Sequence, residues 1–216
     1  MFDEKILIIL IGAPGAGKGV TGQILKEQYG FKHLSVGEFL RHKSLDKTSQ
    51  ESLYINEISS GINLIPDHIV NGIVEKFLRD NINAPKILDG YPKNENQCYF
   101  LCNLIKLLHL IPKFFYFSID DELQIERLRS RETCVKCSHD YIFENIKKPG
   151  YCNLCGGHLY KRSSDSLNNV KLRNEFFKTF VSKILRTIQK NYVVHSINGN
   201  QKIQNIYKDV LRYVLQ

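Results

Sequence analysis

The chain of 216 residues contains no tryptophan, a single methionine and no apolar run long enough to cross a membrane. The run KILIILIG at residues 5–12 has the length of a β-strand and ends at a glycine, whereas a membrane span needs about 18 consecutive apolar residues. Internal repeats and low-complexity tracts are absent as well. We therefore expect no membrane span and a globular fold, either one large domain or one domain carrying an inserted module.

Targeting signals and a basic arm are also lacking. The first five residues, MFDEK, carry two acids, which fits neither a secretory signal nor an arginine-rich transit peptide. The formal net charge of +8 is spread along the chain, and enzymes that handle phosphate also need many cations. We expect an intracellular protein in the cytoplasm, with the mitochondrion as the alternative, and no nucleic-acid partner.

A glycine-rich motif, GAPGAGKG at residues 12–19, stands between the first strand and a segment with helical periodicity. Glycines let the backbone approach an anion, and the following helix places its positive end against it. Lys18 adds a mobile cation that can follow a transferring phosphoryl group. The motif therefore predicts a phosphate-binding P-loop, with an ordinary glycine turn as the alternative. Gly19 and Val20 follow the lysine, so the hydroxyl that usually helps to hold magnesium is missing.

Two C-x-x-C pairs indicate a metal site. Cys134 and Cys137 form the first pair, and Cys152 and Cys155 form the second after 14 intervening residues. This spacing is typical of tetrahedral zinc knuckles, and disulfides are a poor alternative in an intracellular chain. Four thiolates close the coordination shell and leave no position for a catalytic water. We expect a structural Zn²⁺ that organises a small module without a large core of its own.

Strand-like and helical segments alternate along most of the chain. Strands are predicted at residues 5–12, 31–36, 86–91, 113–119 and 192–197. Helices are predicted at residues 18–29, 67–78, 95–109, 121–131 and 174–190. This alternation predicts an α/β fold with a five-stranded, parallel, doubly wound sheet that binds ligands at the carboxyl ends of its strands. Residues 133–162 break the pattern and are interpreted as an inserted module.

Several motifs, taken in order, resemble those of adenylate kinases with a long, zinc-containing lid. They are GAPGAGKG at 12–19, LSVGEFLR at 34–41, LIPDHIV at 64–70, LDGYPKNENQ at 88–97, ERLRSR at 126–131, the cysteine-rich insert, and YKRSSD at 160–165. The resemblance covers nearly the whole chain, and a series of motifs is far more specific than a P-loop alone. It implies a P-loop core at 1–132 and 163–216, a helical monophosphate-binding arm at 35–66, and a zinc-binding lid at 133–162.

The resemblance also implies an activity and roles for individual residues. A monomeric nucleoside monophosphate kinase would move the terminal phosphoryl group of a Mg²⁺-bound nucleoside triphosphate, ATP or GTP, to AMP. The residues implied to act in this transfer are Lys18, Asp89, Lys93, Arg131, Arg162 and Arg173. Those implied to contact nucleotide are Gly15, Gly17, Gly19, Val20, Val36, Arg41, Gly90, Gln97 and Arg127. Among these, Arg41 is implied to bind the acceptor phosphate, Gln97 the acceptor base and Arg127 the donor base.

Four positions depart from the pattern of the family. Val20 and Val36 stand where threonines are expected, Lys93 replaces an arginine, and Ser164 replaces an aspartate. Thr21 comes one residue too late to substitute at position 20, because one residue on a helix is a rotation of about 100°. Magnesium would then rest on nucleotide oxygens, waters and the aspartate of the DGYP motif. The departures leave two alternatives open: a kinase for another monophosphate, or a nucleotide-binding protein of low activity.

Overall fold

The computed structural model describes residues 2–45, 65–142 and 146–215. Of the predicted monophosphate-binding arm at 35–66, residues 46–64 lie outside the described residues. The domain bounds predicted from the sequence therefore stay predictions.

A five-stranded parallel sheet forms the centre of the molecule. Its strands are β1 (Ile6–Gly12), β2 (Lys32–Ser35), β3 (Lys86–Asp89), β4 (Ile111–Ser118) and β8 (Val194–Asn198). Neighbouring strands follow the order β2-β3-β1-β4-β8, and every pair is parallel. This confirms the predicted sheet. The chain leaves β1 toward one edge, returns through β3 and then continues on the other side with β4, so the carboxyl end of β1 lies at a switch point of the topology.

Seven α-helices of the described residues surround the sheet. They are α1 (Lys18–Tyr29), α2 (Val36–Leu45), α3 (Asp67–Asp80), α4 (Glu95–Leu107), α5 (Asp121–Ser130), α6 (Leu167–Gln189) and α7 (Ile203–Val214). No helix within these described ranges is both long and apolar enough to cross a membrane. Helices α1, α3, α4 and α5 agree with the predicted segments to within two residues.

The predicted strands differ from the observed ones by up to two residues at their ends, and three differences have a physical reason or concern a helix. The second strand ends at Ser35, because Val36 already begins α2. Helix α6 begins at Leu167 rather than at 174; Leu167 and Leu172 are exposed, so this first part shows no clear apolar face. Helix α7 has no counterpart in the prediction. Its apolar stripe does carry the helical period, since the buried residues are Ile206, Val210, Leu211 and Val214.

The alternation of side chains along β1 explains why this strand is apolar throughout. Leu7, Ile9 and Ile11 pack into a core shared with α2, α3, α4 and α6. Ile6, Ile8 and Leu10 pack into a second core, on the opposite face, with α1 and α7. Successive side chains of a strand point to opposite faces, and parallel sheets are covered on both. The continuous run KILIILIG is the result.

The insert forms a small antiparallel sheet of its own. Its strands are β5 (Glu132–Cys134), β6 (Asp140–Tyr141) and β7 (Leu159–Tyr160), in the order β6-β5-β7. The buried apolar residues at its centre are Cys134, Tyr141 and Cys152. Two of these three are predicted metal ligands, so this sheet has little core besides the cysteine cluster.

Candidate active site

A cavity of about 720 Å³ opens at the carboxyl ends of β1 and β3. The glycine-rich loop and the start of α1 form its floor, and the segment after β3 follows beside them. Helix α2, helix α6 and the β6 region of the insert supply the remaining walls. The cavity therefore lies at the switch point of the sheet, where parallel α/β folds bind their ligands.

The glycine-rich loop has the backbone conformation that its glycines permit. Gly15 and Gly17 have φ angles of 81° and 100°, a region that other residues rarely adopt. Gly17 is the N-cap of α1, and no side chain of the described residues caps this helix end. The first N–H groups of α1 are therefore left for an anion in the cavity.

Lys18 is tied to this loop. Its Nζ donates a hydrogen bond of 2.8 Å to the carbonyl oxygen of Ala13, and the residue is only 9% exposed. Burial lowers the pKa of Lys18 to about 8, although the nearby carboxylate of Asp89 acts in the opposite direction. Asp89 ends β3 and lies against Gly19, where a Cβ atom would come within 3.4 Å of its Oδ2. The loop lysine and a buried carboxylate thus face the same space.

Three arginines converge on the cavity from separate parts of the chain. Arg131 follows α5 and binds Asp165 through Nε at 2.8 Å and through Nη2 at 2.5 Å. Arg173 on α6 donates to the carbonyl oxygen of Ser164 at 3.2 Å and lies 3.6 Å from Asp165. Arg162 comes from the end of the insert and lines the cavity with the other two. Such a set suits a polyphosphate, because guanidinium groups bind phosphate oxygens in pairs.

Asp140 is a member of this cluster that the sequence interpretation missed. Its Oδ1 accepts hydrogen bonds from Arg162 Nη2 at 2.6 Å and from Thr133 Oγ1 at 2.7 Å. Its Oδ2 lies 3.6 Å from Arg131 Nη1. The carboxylate that the family pattern places at Ser164 is absent, and Asp140 supplies one from β6 instead. Its signal in the sequence was weak: it is one of two acidic residues in the predicted insert.

Lys93 and Arg41 add two further cations to the cavity wall. Lys93 is exposed toward the cavity, and desolvation there, followed by the charge of the neighbouring Arg173, lowers its pKa to about 8. Burial, followed by the charge of Arg162, lowers the pKa of Arg41 from its ordinary value. Six of the seven predicted cations of the site therefore line one cavity, and the seventh, Arg127, does not.

Most, but not all, of the predicted contact residues reach the cavity wall. Those that do are Gly15, Gly17, Gly19, Val20, Arg41 and Gly90. Val36 is buried behind the wall. Gln97, 2% exposed, accepts a hydrogen bond from the Lys93 N–H at 2.7 Å and donates to Asp67 Oδ1 at 2.8 Å.

Arg127 is likewise occupied within the protein. It donates to the carbonyl oxygens of Gly15 at 3.3 Å and of Gln201 at 2.9 Å. Because the backbone oxygens engage its guanidinium, it joins the glycine-rich loop to the segment before α7. The roles of Val36, Gln97 and Arg127 toward nucleotide bases stay predictions.

The hydroxyl of Thr21 does not take the place that Val20 leaves without one. Val20 lines the cavity, whereas Thr21 is fully buried and is not part of the cavity wall. Thr21 Oγ1 has no hydrogen-bond partner among the described residues. This geometry agrees with the expectation that a shift of one residue turns the side chain out of reach.

An aromatic wall of the cavity was not predicted. Helix α6 presents Phe176, Phe177, Phe180 and Ile184, and α2 adds Phe39. The rings of Phe176 and Phe180 lie 4.6 Å apart between centroids. Only the helical spacing of the phenylalanines could have signalled this wall. Flat apolar surfaces of this kind suit the faces of a nucleobase.

The four predicted metal ligands are brought together in the insert. The Sγ atoms of Cys134, Cys137, Cys152 and Cys155 all lie within 4.8 Å of one another. Two pairs, 134 with 155 and 137 with 152, are 3.5 Å apart. Tetrahedral zinc with Zn–S bonds of about 2.3 Å needs sulfur atoms roughly 3.8 Å apart. The cluster therefore fits a tetrahedral metal ion.

The insert reaches across the cavity to the opposite wall. Ser138 Oγ, next to the cysteine cluster, shares a hydrogen bond of 2.5 Å with Nε2 of His42 on α2. Ser138, Asp140 and Ile142 line the cavity from above. The insert thus covers the phosphate-binding loop in the manner of a closed lid.

A parallel sheet with a P-loop at its switch point, arginines around one cavity and a covering insert define a P-loop nucleotide kinase. Comparison with known proteins defines the family. Residues 10–193 match the family model described as "Adenylate kinase". An adenylate kinase of Mycoplasmoides gallisepticum is 31% identical over 215 residues, which cover 97% of this chain and 99% of that protein.

Two further relatives agree with this match. An adenylate kinase of a Geobacillus strain is 31% identical over 94% of this chain and 95% of its own length. That of Borreliella burgdorferi is 31% identical over 97% of this chain and 98% of its own length. The chain belongs to the adenylate kinase family and is a nucleoside monophosphate kinase of that type.

Proposed function

We propose that the protein transfers the terminal phosphoryl group of Mg²⁺-bound ATP to AMP, giving two molecules of ADP. The observation that carries this proposal is the meeting of the P-loop lysine, a buried carboxylate and three arginines in one covered cavity. Such a site supplies positioning and charge stabilisation, which are the main demands of phosphoryl transfer. No covalent nucleophile is required.

The reaction has a simple bond balance. An oxygen of the acceptor monophosphate forms a bond to the γ-phosphorus as the bond from that phosphorus to the β,γ-bridging oxygen breaks. The ammonium group of Lys18 would stay in contact with the phosphoryl group during transfer, and Arg131 and Arg173 would neutralise charge on its oxygens. Arg41 lines the cavity from α2, and we assign it to the acceptor monophosphate. The covering insert excludes water, which would otherwise compete as acceptor.

Asp89 is the residue that would hold magnesium. Its carboxylate is 8% exposed and lies beside the glycine-rich loop, whereas Val20 offers no oxygen. Nucleotide oxygens and waters would supply most of its ligands, and the ion would neutralise charge on the phosphates. A single protein oxygen is consistent with magnesium sites that depend on substrate phosphates.

One observation concerns the acceptor base and favours a second candidate. Both ends of the Gln97 amide are engaged, by Lys93 N and by Asp67. Val36 brings no hydroxyl, whereas the phenylalanines of α6 offer a base an apolar surface in the same cavity. An apolar seat discriminates weakly between bases. The second candidate is therefore a kinase that also accepts another nucleoside monophosphate, and GTP remains an alternative donor.

The first test is a panel of substrates. AMP, GMP, CMP and UMP are each incubated with MgATP and, separately, with MgGTP, and the diphosphates are separated by chromatography. We expect ADP from ATP and AMP, with slower products from at least one other acceptor. Comparable rates with all four acceptors would refute adenine selection. No product from any pair, while a dinucleotide polyphosphate still binds, would instead identify a nucleotide-binding protein of low activity.

Two variants test the assigned roles. Lys18→Ala should abolish transfer and leave the melting temperature close to that of the unmodified protein; retained turnover would refute the P-loop assignment.

Cys134→Ser should lower both the bound metal and the melting temperature, because a structural zinc would stabilise the insert. If neither the bound metal nor the melting temperature falls, the hypothesis of a structural metal is wrong.

The compartment, the monomeric state and the lack of a nucleic-acid partner stay predictions. A cluster of four free thiols is itself typical of a reducing compartment, which supports the cytoplasm as the proposed location.

A further inference from the structure

Two nitrogens of the Arg162 guanidinium differ in their hydrogen bonding. Its Nη2 binds Asp140, whereas its Nε is buried and has no hydrogen-bond partner among the described residues. The side chain is only 10% exposed, and it lines the cavity. A buried donor without an acceptor is costly, so Nε would gain from an acceptor that a bound ligand brings into the cavity. An anionic oxygen, such as that of a phosphate, is the matching acceptor.

Asp140 is itself held in a defined place. It pairs with Thr133 in the register of the β5–β6 hairpin, and the Thr133 hydroxyl donates to the same oxygen that binds Arg162. Its second oxygen faces Arg131 at 3.6 Å. The carboxylate therefore connects Arg131 and Arg162, which are 31 residues apart in the sequence.

We propose that Asp140 is a positioning residue for phosphoryl transfer. It holds the guanidinium of Arg162 by one edge, leaves Nε for a phosphate oxygen, and keeps Arg162 beside Arg131 before the nucleotide arrives. An arginine that is already in place needs no reorganisation in the transition state, which is the source of electrostatic catalysis. The inference rests on the proposed kinase activity and adds a residue to it.

The alternative role for Asp140 is purely structural. In that case its loss would loosen the insert and release metal, without a specific link to Arg162. The two roles differ in a measurable way, because a positioning residue acts only through the group that it positions. Removal of Asp140 should then have no further effect once Arg162 is gone.

The experiment compares Asp140→Ala and Asp140→Asn with a matched control, Asp121→Ala. Asp121 also forms a 2.6 Å ion pair, with Lys178, but both side chains are exposed and lie outside the cavity. We measure kcat, the KM of each nucleotide, bound zinc and the melting temperature. We expect Asp140→Ala to lower kcat by about tenfold or more, and Asp121→Ala to change it by less than about twofold. Asp140→Asn, which keeps an acceptor oxygen, should fall between the two.

A double-mutant cycle supplies the decisive outcome. Asp140→Ala should slow the unmodified enzyme but not the Arg162→Ala variant. Independent, multiplicative losses would overturn the proposal, and so would an unchanged kcat in Asp140→Ala. If Asp140→Ala loses zinc, Asp140→Asn decides: lower kcat with full zinc supports the proposal, and normal kcat overturns it.

A different result would show that the proposed kinase activity itself is wrong. An unmodified protein that transfers no phosphoryl group would refute the kinase assignment on its own. Asp140 is then tested by the binding of a dinucleotide polyphosphate. A higher Kd in Asp140→Ala, absent in the Arg162→Ala background, supports positioning, and an unchanged Kd overturns it.

Discussion

The imidazole of His33 occupies the space in which a side chain at residue 22 would lie. A Cβ atom on Gly22 would come within 2.6 Å of His33 Nε2 and 2.7 Å of its Cε1. Gly22 is buried in the middle of α1, where helix propensity alone favours alanine by about 1 kcal/mol. The contact between strand β2 and helix α1 therefore requires a residue that is unfavourable in the helix.

Gly22→Ala should consequently destabilise the protein. We expect the free energy of unfolding to fall by about 1 kcal/mol, because overpacking of a buried contact outweighs the gain in helix propensity. Gly72→Ala is the matched control: this glycine lies in α3, and a Cβ atom added to it would meet no other atom within 4 Å, so the same change should stabilise the protein by up to about 1 kcal/mol.

Chemical denaturation of both variants measures the difference. In a His33→Ala background, Gly22→Ala should become stabilising, since the obstructing ring is gone. A stabilising Gly22→Ala in the unmodified chain would contradict the packing argument.

Lys86 is a buried cation surrounded by carbonyl oxygens. The residue is 0% exposed, and its Nζ donates to the backbone oxygens of Glu4, Asn81, Ile82 and Ala84 at 2.8, 3.0, 3.3 and 2.6 Å. It thereby joins the start of the chain to the segment after α3. Lys86→Met should cost about 3 kcal/mol of unfolding free energy, because it leaves several buried acceptors without a donor.

A thermal or urea unfolding curve checks this value. Lys32→Met on the neighbouring strand β2 serves as the control, because this lysine is exposed and its loss should cost less than about 0.5 kcal/mol. Equal stabilities of the two variants would show that the carbonyl cluster is satisfied without Lys86.

Tyr141 connects the hairpin of the insert to the cysteine cluster. Its hydroxyl oxygen accepts the N–H of Asn153 at 2.8 Å and lies 3.3 Å from Cys152 Sγ. The hydroxyl proton is therefore available to the sulfur, and such a bond stabilises a metal-bound thiolate. Tyr141→Phe should weaken zinc binding by about tenfold.

The rate of zinc transfer to a colorimetric chelator measures this effect without reference to catalysis. Tyr151→Phe is the control, because Tyr151 lies in the same insert and packs against His158 rather than against the thiols. Identical release rates from both variants would exclude a role for the Tyr141 hydroxyl.

The lowered pKa of Lys18 predicts the dependence of activity on pH. With a pKa of about 8 in the free enzyme, Lys18 loses its charge as the pH rises through that value. The ammonium form binds phosphate, so kcat/KM should decline above about pH 8. Bound phosphates favour the charged lysine, and kcat should therefore persist to higher pH than kcat/KM. Profiles of kcat and kcat/KM from about pH 6 to about pH 10 test this prediction. If both quantities decline at the same pH, the prediction is wrong.

Lys93 offers a gain of function. A lysine contributes one point charge, whereas an arginine at this position would bind a phosphate with two parallel hydrogen bonds. Lys93→Arg should raise kcat by roughly threefold, given the open space on the cavity side of the residue. Lys106→Arg, on the exposed face of α4, should have no effect. A lower kcat in Lys93→Arg would show that the cavity is already filled.

Local patterns in the sequence determined the central part of this protein. The apolar run before the glycine-rich loop, the loop itself and the helix after it are neighbours in the chain, so their spacing alone indicates a P-loop. The spacing of Cys134, Cys137, Cys152 and Cys155 likewise predicts the metal cluster, because few arrangements bring two C-x-x-C pairs together otherwise.

Only the tertiary structure decided which polar groups satisfy one another. The pairing of Asp140 with Arg162, the carbonyl oxygens around Lys86 and the contact of His33 with Gly22 join segments that no periodicity relates. Gln97 shows the same limit, since its amide is engaged by Asp67 from another helix. The physical reason is that a buried donor without an acceptor costs free energy, so buried donors bind acceptors that lie nearby. The fold, not the spacing along the chain, determines which acceptor is near.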